Sequence, residues 1–151
     1  MLLTELLTPD RIVVPLAATD KQGVLAELTR HLVDCSGGGF DEVLAAVLER
    51  EAVLGTGVGF GVAIPHARCG GVGTLTVVGG SAGAGVAYDG MDGEPVRLFF
   101  MIVGPEESAG LHVKLLSRIA RLVRLEPVRR ELIEAKTPDE FHQVLLNAEE
   151  R

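Results

Sequence analysis

The sequence predicts an α/β fold in which a mixed β-sheet is flanked by helices on both faces. The first observation is a nearly continuous apolar run over residues 96–103, bounded by Pro95 and by Gly104-Pro105. Such a run is typical of a central strand that is buried on both faces. The second observation is the helical spacing of apolar residues in the segments before and after that strand. Together they predict helices packed against each side of one sheet.

Local signals place the elements of the first third of the chain. Capping residues mark the starts of helices, and glycine or proline marks their ends. The expected elements are a short helix over 2–7, a strand over 12–14, a helix capped by Thr19 or Asp20 that runs to about Asp34 and is ended by the glycines at 37–39, and a helix capped by Asp41 that runs to about 54.

The remaining elements follow a glycine-rich segment, which we expect to be a loop. Strands are expected at 74–78 and 96–103, with Asp-Gly turn signals over 88–93 between them. The last third predicts three helices, at 108–125, from Pro127 to Ala135, and from Thr137-Pro138 to near the end. A length of 151 residues suits one domain, and we expect residues 1–151 to form it.

Composition excludes several classes of function. The formal net charge of −7 argues against a broad nucleic-acid surface or an anionic membrane as partner. The chain has neither 18 uninterrupted apolar residues nor the basic start of a signal peptide, which predicts a cytoplasmic protein without membrane insertion. Cys35 and Cys69 form neither a disulfide framework nor a zinc-ligand spacing, so no metal is expected.

The segment from residue 55 to residue 66 is the strongest candidate for a functional site. Four glycines at alternate positions precede Ala63-Ile64-Pro65-His66. Glycines let backbone N–H groups approach another group closely, and Pro65 restricts the backbone just before the imidazole. The pattern predicts that His66 is displayed in a concave, backbone-lined site that suits an anionic group.

His112 is a second candidate, because a helical projection of residues 111–123 places it inside the apolar arc. From the helix alone, a histidine at the edge of the core, bonded to a backbone carbonyl, is the favoured interpretation. The alternative is a functional group near a helix N-terminus, where the helix dipole favours an anion. A second histidine on a separate glycine-rich segment strengthens that alternative.

Arg50 is open to two interpretations as well. Its neighbours Glu49 and Glu51 favour a solvated cluster of surface charges. Because Arg50 precedes His66 by a short glycine-rich segment, it can instead turn toward an anion held at that histidine. A planar guanidinium binds a phosphoryl group through two parallel hydrogen bonds.

Other motif matches carry less weight. Residues 79–83 match the Gly-x-Ser-x-Gly motif of serine hydrolases, and Asp89 or Asp92 and then His112 follow in the order of a triad. A helix should follow that serine, but glycine- and aspartate-rich turns are predicted there, which disfavours a hydrolase.

The remaining histidines and the glycine run suggest no further site. Residues 55–61 fit neither Gly-x-Gly-x-x-Gly nor a phosphate-binding loop ending in Gly-Lys-Ser/Thr, so no nucleotide site is expected. His31 and His142 lie on the polar sides of their predicted helices, which is typical of ordinary surface or edge residues.

Four segments together resemble a known family. They are Arg50-Glu51, Gly55-Thr56-Gly57-Val58-Gly59, Ala63-Ile64-Pro65-His66 and the later His112-x-x-Leu115-Leu116-x-x-Ile119-Ala120. This combination resembles the fructose/mannitol-type EIIA domain of the bacterial phosphotransferase system, a family that includes the nitrogen-regulatory EIIA proteins. The similarity extends over nearly the whole chain, which we therefore expect to be a single EIIA type 2 domain.

The resemblance implies a phosphocarrier that needs neither a metal nor a nucleotide cofactor. In that case His66 is phosphorylated by the phosphohistidine of an HPr-like carrier protein, His112 orients the ring or the phosphoryl group, and Arg50 stabilises its charge. Further hydrogen-bond donors for the phosphoryl group are expected from Thr56, Gly57 and Gly59.

Three functions agree with the resemblance. A nitrogen-type regulatory EIIA that binds a target protein is favoured, because no EIIB or membrane EIIC segment is attached. The first alternative is a sugar-specific EIIA that passes phosphate to an EIIB protein. The second is an interaction module without phosphorylation, which the presence of Arg50, His66 and His112 disfavours. Phe60 departs from the family pattern, which usually has a polar residue there, and we expect it to alter the docking rim beside His66.

Overall fold

The computed structural model describes residues 2–53, 55–88 and 93–150. The predicted turn from Asp89 to Asp92 lies outside those ranges. The helices are α1 (Leu3–Leu6), α2 (Lys21–Ser36), α3 (Phe40–Val53), α4 (Ala109–Val123), α5 (Glu126–Glu134) and α6 (Pro138–Glu149), with short 3-10 helices at Pro9–Arg11 and Glu106–Ser108. The strands are β1 (Ile12–Val13), β2 (Gly57–Gly59), β3 (Val62–Ala63), β4 (His66–Arg68), β5 (Thr76–Val86) and β6 (Val96–Gly104).

These strands form one mixed sheet, which confirms the predicted fold class. The order is β1-β5-β6-β3-β2, and β4 also pairs with β6. The strand β5 is antiparallel to β6, whereas β1 is parallel to β5, and both β3 and β4 are parallel to β6. β3 and β4 therefore lie one after the other along the same side of β6.

Strand β6 is the centre of the core, as its continuous apolar run predicts. Side chains alternate between the two faces of a strand. Phe99 and Met101 pack into a cluster with residues of α2 and α3, whereas Phe100 and Ile102 pack against residues of α1, α4, α5 and α6. All four side chains are fully buried. Two layers of helices thus cover the two faces of the sheet.

The helix ends show which local signals were correct. Asp20 accepts a hydrogen bond from the backbone N–H of Gly23 at 2.7 Å, so Asp20 rather than Thr19 caps α2. Gly37 ends this helix in the left-handed region, with φ of 83°. The expected cap of α3, Asp41, lies inside the helix, which begins at Phe40. That prediction is wrong by two positions, because the cap position is Gly39, and the Asp41 carboxylate falls in the first turn, where the helix dipole favours it.

Strand β5 is much longer than predicted, because it includes the glycine-rich motif at 79–83. Ser81 is 3% exposed and pairs with Leu98 of β6, so it is an interior strand residue rather than an exposed nucleophile. Glycine is required at position 80, where a Cβ atom would overlap the carbonyl oxygen of Val13 in the neighbouring strand β1. The glycines therefore allow close strand packing here and do not mark a loop.

Within the described ranges, no helix combines the length and apolar character needed to cross a membrane. In the same part of the chain, no group of three or more His, Cys, Asp or Glu side chains is arranged to hold a metal ion. Cys35 and Cys69 are free thiols, and the Cys69 side chain lies against the Glu42 carboxylate, with 3.7 Å between Sγ and Oε1.

Candidate functional site

The glycine-rich segment that leads to His66 is a set of short strands and not the expected loop. β2 and β3 form an antiparallel hairpin, with Phe60 and Gly61 at its tip in the left-handed region, at φ of 59° and 75°. β3 and β4 then pair with β6. The sequence lacks the apolar alternation of ordinary strands here. β3 and β4 are nevertheless strands, because pairing with the buried strand β6 stabilises them.

His66 is the first residue of β4, and the sheet holds the backbone on both sides of it. His66 pairs with Ile102 of β6, and the carbonyl oxygen of Pro65 accepts a hydrogen bond from the Ile102 N–H at 3.0 Å. The Nδ1 atom of His66 lies 2.8 Å from the carbonyl oxygen of Ile64. A carbonyl can only accept a hydrogen bond, so Nδ1 carries the proton. In the neutral ring, Nε2 therefore holds the free lone pair.

His112 lies in the first turn of α4 with its side chain directed inward, as the helical projection predicts. It is 4% exposed. Its ring packs edge-on against that of His66, with 5.2 Å between the ring centroids and 68° between the planes. Two imidazoles from distant parts of the sequence thus meet at the edge of the core.

A cavity of about 510 Å³ opens beside the two rings, between α3, β4 and α4. Arg50, in the last turn of α3, lies on this cavity, so the three residues expected to bind an anion are brought together. The cavity is lined by Ala46, Glu49, Arg50, Val53, His66, Ala67, Arg68, His112, Val113 and Leu116.

The surroundings of both rings favour their neutral forms. Burial lowers the pKa of His66 below its usual value, and the nearby charges of Arg50 and Arg68 lower it further. The hydrogen bond to Ile64 raises this pKa but does not outweigh burial. Burial lowers the pKa of His112 to about 4, with further contributions from His66, Arg68 and Arg50. At neutral pH, His66 therefore has a nucleophilic nitrogen, and the cavity receives its positive charge from arginine.

Thr56 belongs to a different cluster. Its hydroxyl donates a hydrogen bond to Glu51 Oε1 at 2.5 Å, and its N–H donates one to Oε2 at 2.9 Å. Lys21 and the Tyr88 hydroxyl contact the same buried carboxylate. This network ties the segment before β2 to the last turn of α3, next to Arg50. The network therefore fixes the end of α3 that carries Arg50.

The two glycines predicted to bind the phosphoryl group with Thr56 lie in β2. Gly57 and Gly59 are paired with β3 at the edge of the sheet, whereas His66 lies on β4. The structure does not place these two glycines or Thr56 among the residues that line the cavity. Their role as phosphoryl ligands stays a prediction, and the geometry does not favour it.

Phe60 does not border the site, so the expectation that it shapes the rim beside His66 is wrong. Its neighbour Val62 pairs with Leu98, whereas His66 pairs with Ile102, four residues further along β6. That separation is about 13 Å at the usual rise of a strand. The hairpin carries Phe60 away from the cavity toward α5, where the Arg129 guanidinium lies over its ring at 4.8 Å.

Besides Arg50, His66 and His112, the cavity is lined by residues that the sequence did not single out as site residues, and Arg68, Val53 and Val113 are the ones that bear on function. Arg68 follows His66 by two positions, and alternate residues of a strand share a face, but this signal is readable only once the segment is known to be a strand. Val53 and Val113 flank the opening and are 81% and 56% exposed. Exposed apolar side chains around a concave site are typical of a surface that contacts another protein.

His31 and His142 lie elsewhere. The Nε2 atom of His31 is 2.7 Å from the carbonyl oxygen of Asp10, and that of His142 is 3.2 Å from the carbonyl oxygen of Thr4. Both residues are half-buried and bond to the N-terminal segment, which agrees with the expectation of ordinary surface or edge residues.

The low pKa of His112 predicts a pH dependence of stability. The pKa of His112 in the folded protein, about 4, lies below the ordinary histidine value of 6.5, so the unfolded chain binds the proton first as the pH falls. Stability from this group is complete above pH 6.5 and is lost progressively as the pH falls toward 4. Between pH 7 and pH 5 we expect a loss of about 1–2 kcal/mol from His112.

Urea unfolding of the wild type and of His112→Gln at the two pH values measures this contribution. The variant should show a smaller loss of unfolding free energy between pH 7 and pH 5 than the wild type, whatever its absolute stability. Equal losses in the two proteins would contradict a neutral, buried His112.

Comparison with known proteins agrees with this architecture. The family model described as EIIA 2 of the phosphoenolpyruvate-dependent sugar phosphotransferase system matches residues 5–148. The chain is 31% identical over 145 residues to a nitrogen regulatory protein of Bradyrhizobium diazoefficiens, and this match covers 96% of the chain and 95% of that protein. It is similar in structure to the nitrogen regulatory protein IIA-Ntr of Neisseria meningitidis, with a TM-score of 0.88, 30% identity and coverage of 94% and 97% of the two chains.

A sugar-specific relative is also similar. The chain is 35% identical over 147 residues to the fructose-specific EIIABC component of Bacillus subtilis, and this match covers 96% of the chain but only 23% of that longer protein. Because the family model spans almost all of the sequence, the chain belongs to the EIIA type 2 family of the phosphoenolpyruvate-dependent sugar phosphotransferase system.

Proposed function

We propose that this protein accepts a phosphoryl group on Nε2 of His66 from the phosphohistidine of an HPr-like carrier protein. The observation that carries the proposal is the 2.8 Å hydrogen bond from His66 Nδ1 to the carbonyl oxygen of Ile64. It holds the ring in the tautomer whose Nε2 can attack, at the edge of a cavity that Arg50 and His112 share.

In the proposed step, the Nε2 lone pair forms a bond to phosphorus while the P–N bond to the donor breaks. The bonding electron pair goes to the donor nitrogen. His66 keeps its proton on Nδ1, and this N–H continues to donate a hydrogen bond to the Ile64 carbonyl oxygen. Arg50 offsets the phosphoryl charge with a planar guanidinium, and the buried ring of His112 limits rotation of His66. Transfer between two imidazoles depends on such positioning and charge stabilisation.

The surface around the cavity suits an approaching protein donor. Val53 and Val113 flank the opening as exposed apolar side chains, and Leu116 lines it below them. Apolar contacts surrounding a polar centre exclude water while the two imidazoles come together. A donor that presents its phosphohistidine from an apolar surface of its own would fit this arrangement.

For the biological role, we propose a nitrogen-type regulatory EIIA. The Bradyrhizobium and Neisseria proteins are similar to this chain over nearly their full lengths, and both are described as nitrogen regulatory proteins. A phosphoryl group adds about −1.5 to −2 units of charge at neutral pH. Added between two exposed valines, that charge would change the binding of a target protein at this surface.

The second candidate is a sugar-specific EIIA that passes the phosphoryl group to an EIIB protein, which the similarity to the Bacillus EIIABC component favours. Incubation of the phosphorylated protein with a fructose-type EIIB protein separates the two roles. Rapid loss of the phosphate to EIIB supports the sugar route, whereas retention supports the regulatory one.

The phosphorylation site is tested with a phosphorylated HPr-type donor and mapping of acid-labile phosphate. We expect stoichiometric label on the wild type and none above background on His66→Ala. His31→Gln and His142→Gln serve as matched controls, because each removes an imidazole outside the cavity, and both should be labelled like the wild type. Label that persists in His66→Ala, or that maps to His31 or His142, would sink the assignment.

A further inference from the structure

A second arginine shares the cavity with His66. We infer that Arg68 is a further phosphoryl-binding residue. While His66 is unmodified, Arg68 forms an ion pair with Glu106, and when His66 is phosphorylated, Arg68 leaves Glu106 and binds the phosphoryl group. The inference rests on the proposed function, since it concerns how the same histidine is phosphorylated.

Strand geometry places Arg68 within reach of the phosphoryl group. His66 and Arg68 occupy alternate positions of β4, with the buried Ala67 between them. Their side chains therefore leave the same face of the strand, and their Cα atoms are about 7 Å apart. Both side chains line the cavity that Arg50 and His112 complete. The long guanidinium side chain can span that distance to a group on the His66 ring.

The positive charge of Arg68 already acts on both imidazoles. It contributes to the lowered pKa of His66 and to that of His112. A cation that disfavours a proton on these rings favours negative charge in the same place. The electrostatic field of Arg68 is thus suited to a phosphorylated His66.

Glu106 is the present partner of Arg68. The Arg68 Nη1 and Glu106 Oε2 atoms are 3.1 Å apart, and the two side chains are 44% and 74% exposed. Ion pairs this exposed are weak and exchange readily with solvent. Glu106 lies on the 3-10 helix Glu106–Ser108, which comes just before α4, the helix that carries His112.

A phosphoryl group competes well with this carboxylate. It has more charge and three acceptor oxygens, and arginine binds it through two parallel hydrogen bonds. It would also sit on a half-buried ring, where charges are screened less than at the position of Glu106. On phosphorylation, the Arg68 guanidinium should therefore exchange its ion pair with Glu106 for hydrogen bonds to the phosphoryl oxygens, and the Glu106 carboxylate should become solvated.

This arrangement predicts substitutions of opposite effect at two paired residues. Arg68→Gln removes a phosphoryl ligand and should slow phosphorylation of His66 about tenfold. Glu106→Gln removes the competitor and should speed it about two- to threefold. The double variant should behave like Arg68→Gln alone, because Glu106 acts through Arg68. Arg68→Lys keeps the charge without the planar fork and should recover part of the rate.

The donor in this test is phosphoramidate, a small molecule that needs no docking surface. Nε2 of His66 attacks phosphorus, the P–N bond of phosphoramidate breaks, and ammonia leaves with the electron pair and a proton from solvent. Intact-protein mass spectrometry follows the rate. Glu107→Gln is the matched control, because it removes the same charge from the same 3-10 helix, and we expect it to react at the wild-type rate.

The outcomes separate this inference from the proposed function. If neither phosphoramidate nor the HPr-type donor labels wild-type His66, the proposed function fails. If the wild type is labelled but Arg68→Gln reacts within twofold of it, Arg68 is not a phosphoryl ligand. If Glu106→Gln slows the reaction as Arg68→Gln does, the ion pair is structural and the exchange is wrong. An effect of Arg68→Gln seen only with the protein donor assigns Arg68 to docking and also overturns the inference.

Discussion

Replacing Arg50 by glutamine should slow transfer from a phosphorylated HPr-like donor to His66 by about a hundredfold, the range found when one preorganised charge-stabilising donor is lost from an active site. Arg50 lies in the last turn of α3 on the cavity that holds both histidines. In the proposed transfer, its guanidinium offsets charge on the phosphoryl group. A rapid-quench, single-turnover measurement of labelled His66 gives the rate directly.

Two further variants make that result interpretable. Arg124→Gln removes an exposed arginine at the C-terminal end of α4, about 18 Å along the helix from His112, and should transfer within twofold of the wild type. Arg50→Lys keeps the charge but loses the bidentate geometry, so an intermediate rate is expected. If Arg50→Gln is no slower than Arg124→Gln, Arg50 has no role in the transfer. The expected surface cluster does not include Glu51 in any case, because that carboxylate is buried.

Gly80→Ala should lower the free energy of unfolding by about 3 kcal/mol, at the upper end of what overpacking usually costs. Gly80 pairs with Val13 where the parallel strand β1 joins β5, and an added Cβ would overlap the Val13 carbonyl oxygen and press on Leu16. The obstacle is backbone, which cannot rotate aside as a side chain can. The two strands must separate, which weakens hydrogen bonds at this edge of the sheet.

Gly83→Ala is the matched control, because Gly83 lies in the same strand and an added Cβ there would meet nothing within 4 Å. We expect its unfolding free energy to stay within about 0.5 kcal/mol of the wild type. Urea denaturation of the three proteins, monitored by circular dichroism, gives the comparison. Equal midpoints for Gly80→Ala and the wild type would contradict the close packing of β1 on β5.

The central strand and the long helices were predictable because their signals are local. The apolar run at 96–103 needs burial on both faces wherever it lies, and the caps Asp20 and Thr137 bond to N–H groups of their own helices. The inward position of His112 follows from helical periodicity for the same reason. Each of these features depends on residues within a few positions of one another.

The strands β2, β3 and β4, and most of β5, were not predictable in this way. Glycine is a poor strand former. β3, β4 and β5 are strands because β6, and for β5 also β1, supply hydrogen-bond partners from far along the chain, and β2 is held in turn by pairing with β3. The error about Phe60 has the same origin. Its distance from His66 is set by which residues of β6 the two short strands pair with, and no local pattern contains that register.

Glycine spacing and helical periodicity are local properties, and they mark His66 and His112 as candidates for the chemistry, to which the resemblance to the EIIA family adds Arg50. The protonation state of the two histidines depends on how the chain folds. Burial and neighbouring charges make both imidazoles neutral, and the Ile64 carbonyl selects the His66 tautomer. Tertiary contacts also place Arg68 on the cavity and pair it with Glu106, which lies 38 positions further along the chain. The tautomer depends on a carbonyl only two residues away, but folding decides that the His66 ring turns toward it. Desolvation and charge proximity arise between segments that meet only after folding, so they cannot be derived from the order of residues alone.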